Sequence, residues 1–386
     1  MGERAATGPG ASGEPGGPTV SAARASGEPG GPTVSGARAA REPAASELGG
    51  SDEPGEPVWV LGVDSGGSGL RVALARGGDL ARPETTVSRE PVRTGASGID
   101  ADHLLQQLLP MARELLGRVA ADDPTGVPAL RAVVVGAAGM ATLGDGLRAA
   151  LPDALVAELG VRRLALAADG VTAYAGALGQ RPGAVVAAGT GMIALGTALD
   201  TWRRADGWGH LLGDSGGGAW IGRAGLDAAM RAYDGRRGGS AALLALAEER
   251  FGPAAGLPAR VYPRTDRPAV LASFAPDVAR AALDDPVAAG VLHEAARHIA
   301  EAAAAVCPPG TGSEVALTGG LFKMGEPLLA PLRAELAEQL PYATVVSATG
   351  DPLHGALVIA AALAQGGLRL PRDGRLLHVP GEADAS

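Results

Sequence analysis

The chain has 386 residues, which is enough for two domains with a sizeable hydrophobic core. Its formal net charge is −9 and it has no long basic run, which argues against a nucleic-acid or anionic-membrane partner and favours a small-molecule substrate. The single cysteine, Cys307, excludes a disulfide framework and a cysteine-based metal site, and its apolar sequence neighbours predict a buried structural thiol. No apolar run predicts a membrane span and no hydrophobic leader predicts secretion, so we expect a cytoplasmic protein.

The first 57 residues predict a disordered arm. They are rich in Gly, Pro, Ala, Ser and Glu and contain a tandem repeat, ASGEPGGPTVSAAR at 11–24 and ASGEPGGPTVSGAR at 25–38. With almost no apolar side chains to bury, this segment cannot offset the entropy lost on folding. At the other end of the chain, residues 371–386 predict a flexible tail.

The ordered body opens with a strand, a glycine-rich turn and a second strand, VWVLGVDSGGSGLRVALA at 58–75. A strand follows the glycines where the usual dinucleotide-binding and P-loop motifs need a helix, which excludes both. The hairpin tip exposes backbone N–H groups at Gly66, Gly67 and Ser68, and a phosphate can approach them closely. Asp64 at the strand end offers a carboxylate to a Mg²⁺ bound to phosphates. The alternative is a plain glycine-rich hairpin turn.

Helices and strands alternate through the rest of the first half, and Asp169 directly follows a buried strand. The predicted elements are a strand at 85–89, a helix at 101–120, strands at 131–136 and 163–168, and a helix at 171–178.

The second half opens as the first does, with a strand at 183–188, a turn at Gly189–Thr190–Gly191 and a strand at 192–198. The elements predicted after it are helices at 218–233, 241–251, 276–283, 287–307, 326–339 and 352–364, and strands at 314–318 and 343–346. This repetition predicts a duplicated α/β fold with domains at 58–182 and 183–350, and a final helix at 352–366 packed on the first domain. A cleft between two domains is a common place for a small ligand.

Five segments of the chain resemble a known family. They are VDSGGSGLRVAL at 63–74, AAGTGMIALG at 187–196, GWGHLLGDSGGGAWIG at 207–222, VALTGGLF at 315–322 and GDPLHGALVIAA at 350–361. Their order and spacing resemble the N-acetylglucosamine kinases and the BadF/BadG/BcrA/BcrD ATPases. The resemblance implies an α/β, actin-like ATPase fold with two ribonuclease-H-like domains and a nucleotide and sugar cleft between them.

The resemblance also implies the site residues. ATP phosphates would lie against the two hairpin turns, adenosine against Gly319 and Gly320, and Mg²⁺ against Asp64. Asp169 would be the catalytic base, although an N-cap of the following helix is a serious alternative. The residues implied for the sugar are Gly207, Trp208, Gly209 and Asp214.

Three positions depart from the family pattern. Gly69 stands where the family commonly has lysine or arginine, Gly98 where it has a sugar-binding asparagine, and Ser215 where it has glutamate. Each change removes a polar contact, so the identity of the acceptor does not carry over with the resemblance.

The resemblance implies ATP-dependent phosphorylation of an amino sugar, with N-acetylglucosamine, converted to its 6-phosphate, as the first expectation. One alternative is a BadF-type ATPase that acts with a partner protein. Another is a catalytically inactive regulator that binds sugar or nucleotide. A homodimer is what the resemblance implies for assembly.

Overall fold

The computed structural model describes residues 58–67, 69–95, 98–122, 129–161 and 163–381. The predicted disordered arm at 1–57, Ser68 and the last part of the predicted tail, 382–386, lie outside the described residues. None of the helices in the described part of the chain combines the length and the apolar character needed to cross a bilayer.

The strands of the described residues alternate with helices over residues 101–188 and 314–378. They are β1 (Trp59–Gly66), β2 (Gly69–Arg76), β3 (Asp79–Ser88), β4 (Thr94–Gly95), β5 (Gly98–Ile99), β6 (Leu130–Ala137), β7 (Arg163–Ala168), β8 (Gly183–Ala188), β9 (Met192–Thr197), β10 (Trp202–Asp206), β11 (Glu314–Thr318), β12 (Thr344–Ser347) and β13 (Leu377–His378).

The helices of the described residues are mostly amphipathic or fully buried. They are α1 (Ala101–Asp122), α2 (Met140–Leu143), α3 (Asp145–Leu159), α4 (Asp169–Leu178), α5 (Gly218–Tyr233), α6 (Ala241–Phe251), α7 (Leu257–Val261), α8 (Arg267–Ala272), α9 (Ala275–Ala281), α10 (Pro286–Val306), α11 (Glu326–Gln339) and α12 (Pro352–Gln365), with two short 3₁₀ helices at Ala254–Gly256 and Gly320–Met324.

Two larger sheets carry these helices, and both contain parallel and antiparallel pairs. The first has the strand order β13-β7-β6-β1-β2-β3, and the second has the order β10-β9-β8-β11-β12. β1 pairs in parallel with β6, and β6 with β7, while β1, β2 and β3 form an antiparallel meander. The second sheet likewise combines the antiparallel hairpin β8–β9 with β11, which is parallel to β8. β1 is apolar from Trp59 to Val63 and β6 from Ala132 to Ala137, as expected where helices cover the parallel part of such a sheet.

Helix α4 contacts strands of both sheets, and α12 packs on α4 and on the first sheet. Glycines allow this close packing. A Cβ at Gly355 would overlap the Thr172 carbonyl oxygen of α4, and a Cβ at Gly62 would lie 2.9 Å from the Leu357 backbone nitrogen of α12. The last residue of β7, Ala168, the last residue of β8, Ala188, and the first residue of α4, Asp169, lie around one cavity.

Two parts of the sequence prediction need correction. α3 and β10 were both missing from it. The described part of the predicted tail, 371–381, carries β13, which pairs with β7, and Leu377 is fully buried. The Trp202 indole N–H donates to the Pro371 carbonyl oxygen at 2.8 Å. The buried Leu377 and the hydrogen bond from Trp202 to Pro371 thus hold this otherwise polar segment at the edge of the first sheet.

Candidate active site

A cavity of about 570 Å³ opens where the strand ends of both sheets meet. Eight residues predicted for the site line it, namely Asp169, Gly189, Gly191, Gly207, Trp208, Asp214, Gly319 and Gly320. The predicted residues Asp64, Gly66, Gly67, Thr190 and Gly209 are described but do not line this cavity. The structure thus brings residues that are up to about 150 positions apart in the sequence to one cleft.

The first hairpin turns after Gly66, the last residue of β1, and Gly67 is the first residue beyond it. A Cβ on either glycine would meet no atom within 4 Å, so the space around this tip is open. Packing therefore does not require these two glycines, whereas close approach of a ligand to the backbone would use them.

Asp64 lies on β1 directly opposite Arg71 on β2. Asp64 Oδ2 accepts hydrogen bonds from Arg71 Nη2 at 2.7 Å and from Nε at 3.0 Å, and Arg71 Nη1 lies 2.6 Å from Asp351 Oδ2. Burial opposes the charge of Arg71, but its bonds to Asp351 and Asp64 outweigh that effect and raise the pKa of the guanidinium. Two carboxylates thus engage this arginine.

Asp64 Oδ1 accepts no hydrogen bond from the described residues, and a carboxylate oxygen is a suitable ligand atom for a hard divalent cation. The described residues contain no group of three or more His, Cys, Asp or Glu side chains that could hold a metal ion by themselves. Mg²⁺ is commonly bound by one or two carboxylates together with substrate phosphates, and one carboxylate beside an open turn fits that pattern.

At two of the three positions that depart from the family pattern, 69 and 98, the neighbouring backbone leaves no room for a side chain. Gly69 has φ +125° and Gly98 has φ +102°, conformations that residues with side chains rarely adopt. A Cβ at Gly69 would overlap the Ser88 carbonyl oxygen, and one at Gly98 would overlap that of Leu143. Neither a cation at 69 nor an asparagine at 98 is compatible with this backbone.

The second hairpin turns at Gly189–Thr190–Gly191, and α5 begins immediately behind it. The N–H groups of Gly218 and Ala219 donate to the carbonyl oxygens of Gly189 and Thr190 at 2.9 and 2.8 Å. The positive end of the α5 dipole is therefore directed at the turn, which favours an anion there. Gly217 and Gly218 permit the contact because a Cβ on either would lie within 2.8 Å of the turn's backbone.

The loop after β10 is closed by two aspartates. Asp206 has the unusual φ of +62°, and its carboxylate accepts the N–H groups of Asp214 and, at 3.0 Å, Ser215. Asp214 Oδ1 accepts the Gly209 N–H at 3.0 Å, and a Cβ at Gly191 would overlap its Oδ2. Burial raises the pKa of the Asp214 carboxyl, against the effect of the Gly209 N–H. The loop and the second hairpin are thus held together.

Asp169 is the first residue of α4, and its side chain is open to the cleft. The N-cap is Ala168, without a side-chain hydrogen bond, so the interpretation of Asp169 as an N-cap is wrong. Its Oδ1 accepts the N–H of the next residue, Gly170, at 2.9 Å. The walls of the cleft partly desolvate the Asp169 carboxyl and so raise its pKa; the Gly170 N–H and the charge of Arg204 oppose this, and the charge of Asp64 adds to it.

Sequence reasoning missed Arg204, which lines the cleft from β10. Its guanidinium stacks on the Trp208 ring at 4.4 Å and donates to the carbonyl oxygens of Asp206 and Gly207 at 3.0 and 2.6 Å. Trp208 is itself 63% exposed, so one face of the ring is available to a ligand. The indication available in the sequence was that Arg204 lies three residues before the GWGHLLGD block.

Gly319 and Gly320 follow β11 at the far wall of the cavity. Gly319 has φ +105°, and a Cβ there would overlap the Ala188 carbonyl oxygen at the end of β8. Gly320 has no atom within 4 Å of its Cβ position, so the backbone beyond it stays accessible from the cavity.

Comparison with known proteins extends these observations. A curated N-acetylmuramic acid/N-acetylglucosamine kinase of Clostridium acetobutylicum is 27% identical over 180 residues, 46% of this chain. The match spans 55% of the length of that relative, about half of it.

Solved structures with the same fold include two proteins provisionally assigned as N-acetylglucosamine kinases. The one from Chromobacterium violaceum is 29% identical, with a TM-score of 0.54, and the match covers 80% of this chain and 99% of that chain. The one from Porphyromonas gingivalis is 18% identical, with a TM-score of 0.56 and the same coverage. The predicted α/β fold of the actin-like ATPases is confirmed. The family model of the BadF/BadG/BcrA/BcrD ATPases matches residues 61–360, and the chain therefore belongs to this family.

Proposed function

We propose that the protein is an ATP-dependent kinase of an amino sugar, with N-acetylglucosamine as the acceptor and its 6-phosphate as the product. The observation that carries the proposal is one cleft in which the strand-end carboxylate of Asp169 shares the walls with a glycine turn and the exposed face of Trp208. The Clostridium acetobutylicum relative, named for kinase activity on N-acetylmuramic acid and N-acetylglucosamine, supports the choice of acceptor.

In this proposal the two hairpin turns bind the phosphates of ATP. The N–H groups of Thr190 and Gly191 donate no hydrogen bond within the described part of the chain, and the α5 N-terminus lies behind them. Gly66, Gly67 and Ser68 form the opposite turn, and Gly319 and Gly320 approach the adenosine. Asp64 would hold a Mg²⁺, which neutralises phosphate charge when bound.

The acceptor binds beside Gly207, Trp208, Gly209 and Asp214. The apolar face of a sugar ring suits Trp208, and the Asp214 carboxylate orders the loop that carries these residues. The proposal includes two domains. Residues 58–182 and the helix at 352–366 form the first, and residues 183–350 form the second. Closure of the two around the ligands would exclude water and so limit hydrolysis of ATP.

Asp169 acts as the general base of the transfer. As the acceptor oxygen bonds to the γ-phosphorus, its proton passes to the Asp169 carboxylate. The bond from the γ-phosphorus to the β–γ bridging oxygen breaks, and ADP leaves with the electron pair. A carboxyl group with a raised pKa is a better proton acceptor than an ordinary aspartate.

The test is a coupled assay of ADP release with a panel of amino sugars and hexoses, run on the wild-type protein and on Asp169→Asn. We expect acceptor-dependent turnover, strongest with N-acetylglucosamine, and a decrease in kcat of about 10²- to 10⁴-fold in Asp169→Asn with nucleotide binding retained. Asp153→Asn, an exposed aspartate on α3, is the matched control and should leave kcat unchanged.

Three outcomes would contradict the proposal. ATP hydrolysis that does not depend on any sugar would indicate an ATPase that acts with a partner protein. Absence of turnover would indicate a regulator that binds sugar or nucleotide. Near-normal turnover in Asp169→Asn would remove Asp169 from the role of base.

A further inference from the structure

A phosphoryl group in transfer carries negative charge on its three equatorial oxygens, and a positioned cation that contacts them lowers the barrier. Near the tip of the first hairpin, the described residues offer no free cation for this purpose. Position 69 cannot carry a side chain, and Arg71 is engaged by Asp64 and Asp351. The whole chain contains one lysine, Lys323, and it is absent from the cavity lining.

Among the described residues that line the cleft, Arg204 alone carries a permanent positive charge. Arg204 and Asp169 line the same cavity, and the charge of Arg204 acts on the Asp169 carboxyl group. Arg204 and the carboxylate proposed as the base therefore border the same cavity.

The conformation of Arg204 is fixed before any ligand binds. Nε and Nη2 donate to the Asp206 and Gly207 carbonyl oxygens, and the guanidinium plane stacks on Trp208. Nη1 donates no hydrogen bond to the described residues. No carboxylate forms an ion pair with Arg204 in the described part of the chain, in contrast to Arg71. Its charge and one N–H edge are therefore available to the cleft.

We propose that Arg204 is a catalytic residue of the phosphoryl transfer, and that its guanidinium contacts the γ-phosphoryl oxygens while the group moves from ADP to the acceptor oxygen. The proposal rests on the proposed function. In the step, the new O–P bond forms on the acceptor, the bond to the bridging oxygen breaks, the proton goes to Asp169, and charge accumulates on oxygens that Arg204 binds. Trp208 keeps the guanidinium in position through its ring face.

The experiment compares Arg204→Gln and Arg204→Lys with Arg203→Gln. Arg203 is the adjacent residue of β10, exposed, with its side chain on the opposite face of the strand, and so is a matched control. We expect Arg204→Gln to lower kcat by about 10³-fold or more, with the Kd of ADP nearly unchanged. Arg204→Lys should retain part of the activity, and Arg203→Gln should retain all of it.

A second readout separates catalysis from a merely structural role. The acidic limb of the kcat/KM profile reports the ionisation of Asp169, and it should move to higher pH in Arg204→Gln because a nearby positive charge is lost. Guanidinium ion added to Arg204→Ala should restore part of the lost kcat. Unfolding in urea checks that each variant is folded; if Arg204→Gln is not, Arg204→Lys and guanidinium rescue decide the question.

Failure of the proposed function and failure of the role of Arg204 give different results. Wild-type protein that transfers phosphate to no sugar would overturn the proposed function and this inference with it. An active wild-type protein whose Arg204→Gln variant keeps its kcat, or changes only in KM, would overturn the role of Arg204 alone.

Discussion

The carbonyl oxygen of Thr172 in α4 occupies the space into which a Cβ on Gly355 of α12 would project. The relationship is reciprocal, because a Cβ on Gly176 of α4 would overlap the Asp351 carbonyl oxygen at the start of α12. The two helices therefore cross at backbone contact. Since α4 also touches strands of both sheets, this crossing sets the position of Asp169 relative to the cleft walls.

Gly355→Ala should lower the free energy of unfolding by about 3 kcal/mol, because the added methyl group can be accommodated only if backbone moves. Urea unfolding at neutral pH measures the effect. Gly290→Ala is the matched control: Gly290 is exposed on α10 and a Cβ there meets nothing within 4 Å. That control should raise the free energy of unfolding by roughly 0.5–1 kcal/mol. Equal effects of the two substitutions would contradict the crossing described above.

Gly98→Asn, which introduces the residue of the family pattern, should destabilise the protein by about 2 kcal/mol or more and should not improve sugar binding. The backbone at 98 is left-handed and the Leu143 carbonyl oxygen blocks the Cβ position. Gly95→Asn, at an exposed position with nothing within 4 Å, is the control and should cost little. Thermal unfolding of both variants measures the two changes in stability. A lower KM for the acceptor in Gly98→Asn would show that the prediction is wrong.

Asp169→Asn should be more stable than the wild-type protein near neutral pH. The folded protein raises the pKa of this carboxyl group, so the folded state holds the proton more tightly than the unfolded state. The wild-type protein therefore loses stability as pH rises from about 3.9, the ordinary pKa, through the raised value, and asparagine does not.

The difference in the free energy of unfolding between Asp169→Asn and wild type should vanish below about pH 3.9 and grow toward neutrality. Urea unfolding across pH measures it, with Asp153→Asn, at an exposed position of α3, as the control. A stabilisation that is independent of pH would mean that packing, and not the buried charge, is responsible.

Cys307 should resist a thiol reagent in the folded protein and react at a rate that follows opening of the structure. The residue is 3% exposed, and burial raises the pKa of its thiol, against hydrogen bonds with Tyr342 and Ser313. Both effects suppress the reactive thiolate. Labelling rates in increasing urea should rise in parallel with unfolding, and rapid complete labelling in buffer alone would contradict the buried position.

The sequence predicted the two hairpins, the strand before Asp169 and the cleft at the strand ends because those elements carry strong local patterns. β10 escaped because it is an edge strand of five half-exposed residues with two arginines, and edge strands are commonly charged. Without β10 there was no reason to place Arg204 at the cleft. α3 also escaped, although Leu147, Leu151 and Leu155 are spaced by four and are all buried.

The glycines at 69 and 98 show a second limit of prediction from sequence. Each excludes a side chain because of a carbonyl oxygen from another segment, Ser88 in one case and Leu143 in the other. Sequence can identify such positions as departures from a family, but it cannot show which backbone approaches them.

The contact between the second hairpin and α5 has a consequence for folding. Glycine is a poor helix former, so the glycines at 217 and 218 make helix α5 weakest where it begins. In the hairpin turn, the carbonyl groups of Gly189 and Thr190 accept hydrogen bonds from the N–H groups of Gly218 and Ala219. Because each satisfies backbone groups of the other, we expect the turn and the start of α5 to form together. A growing polypeptide that ends before Gly218 has the sequence of this turn but lacks the groups that give it its shape.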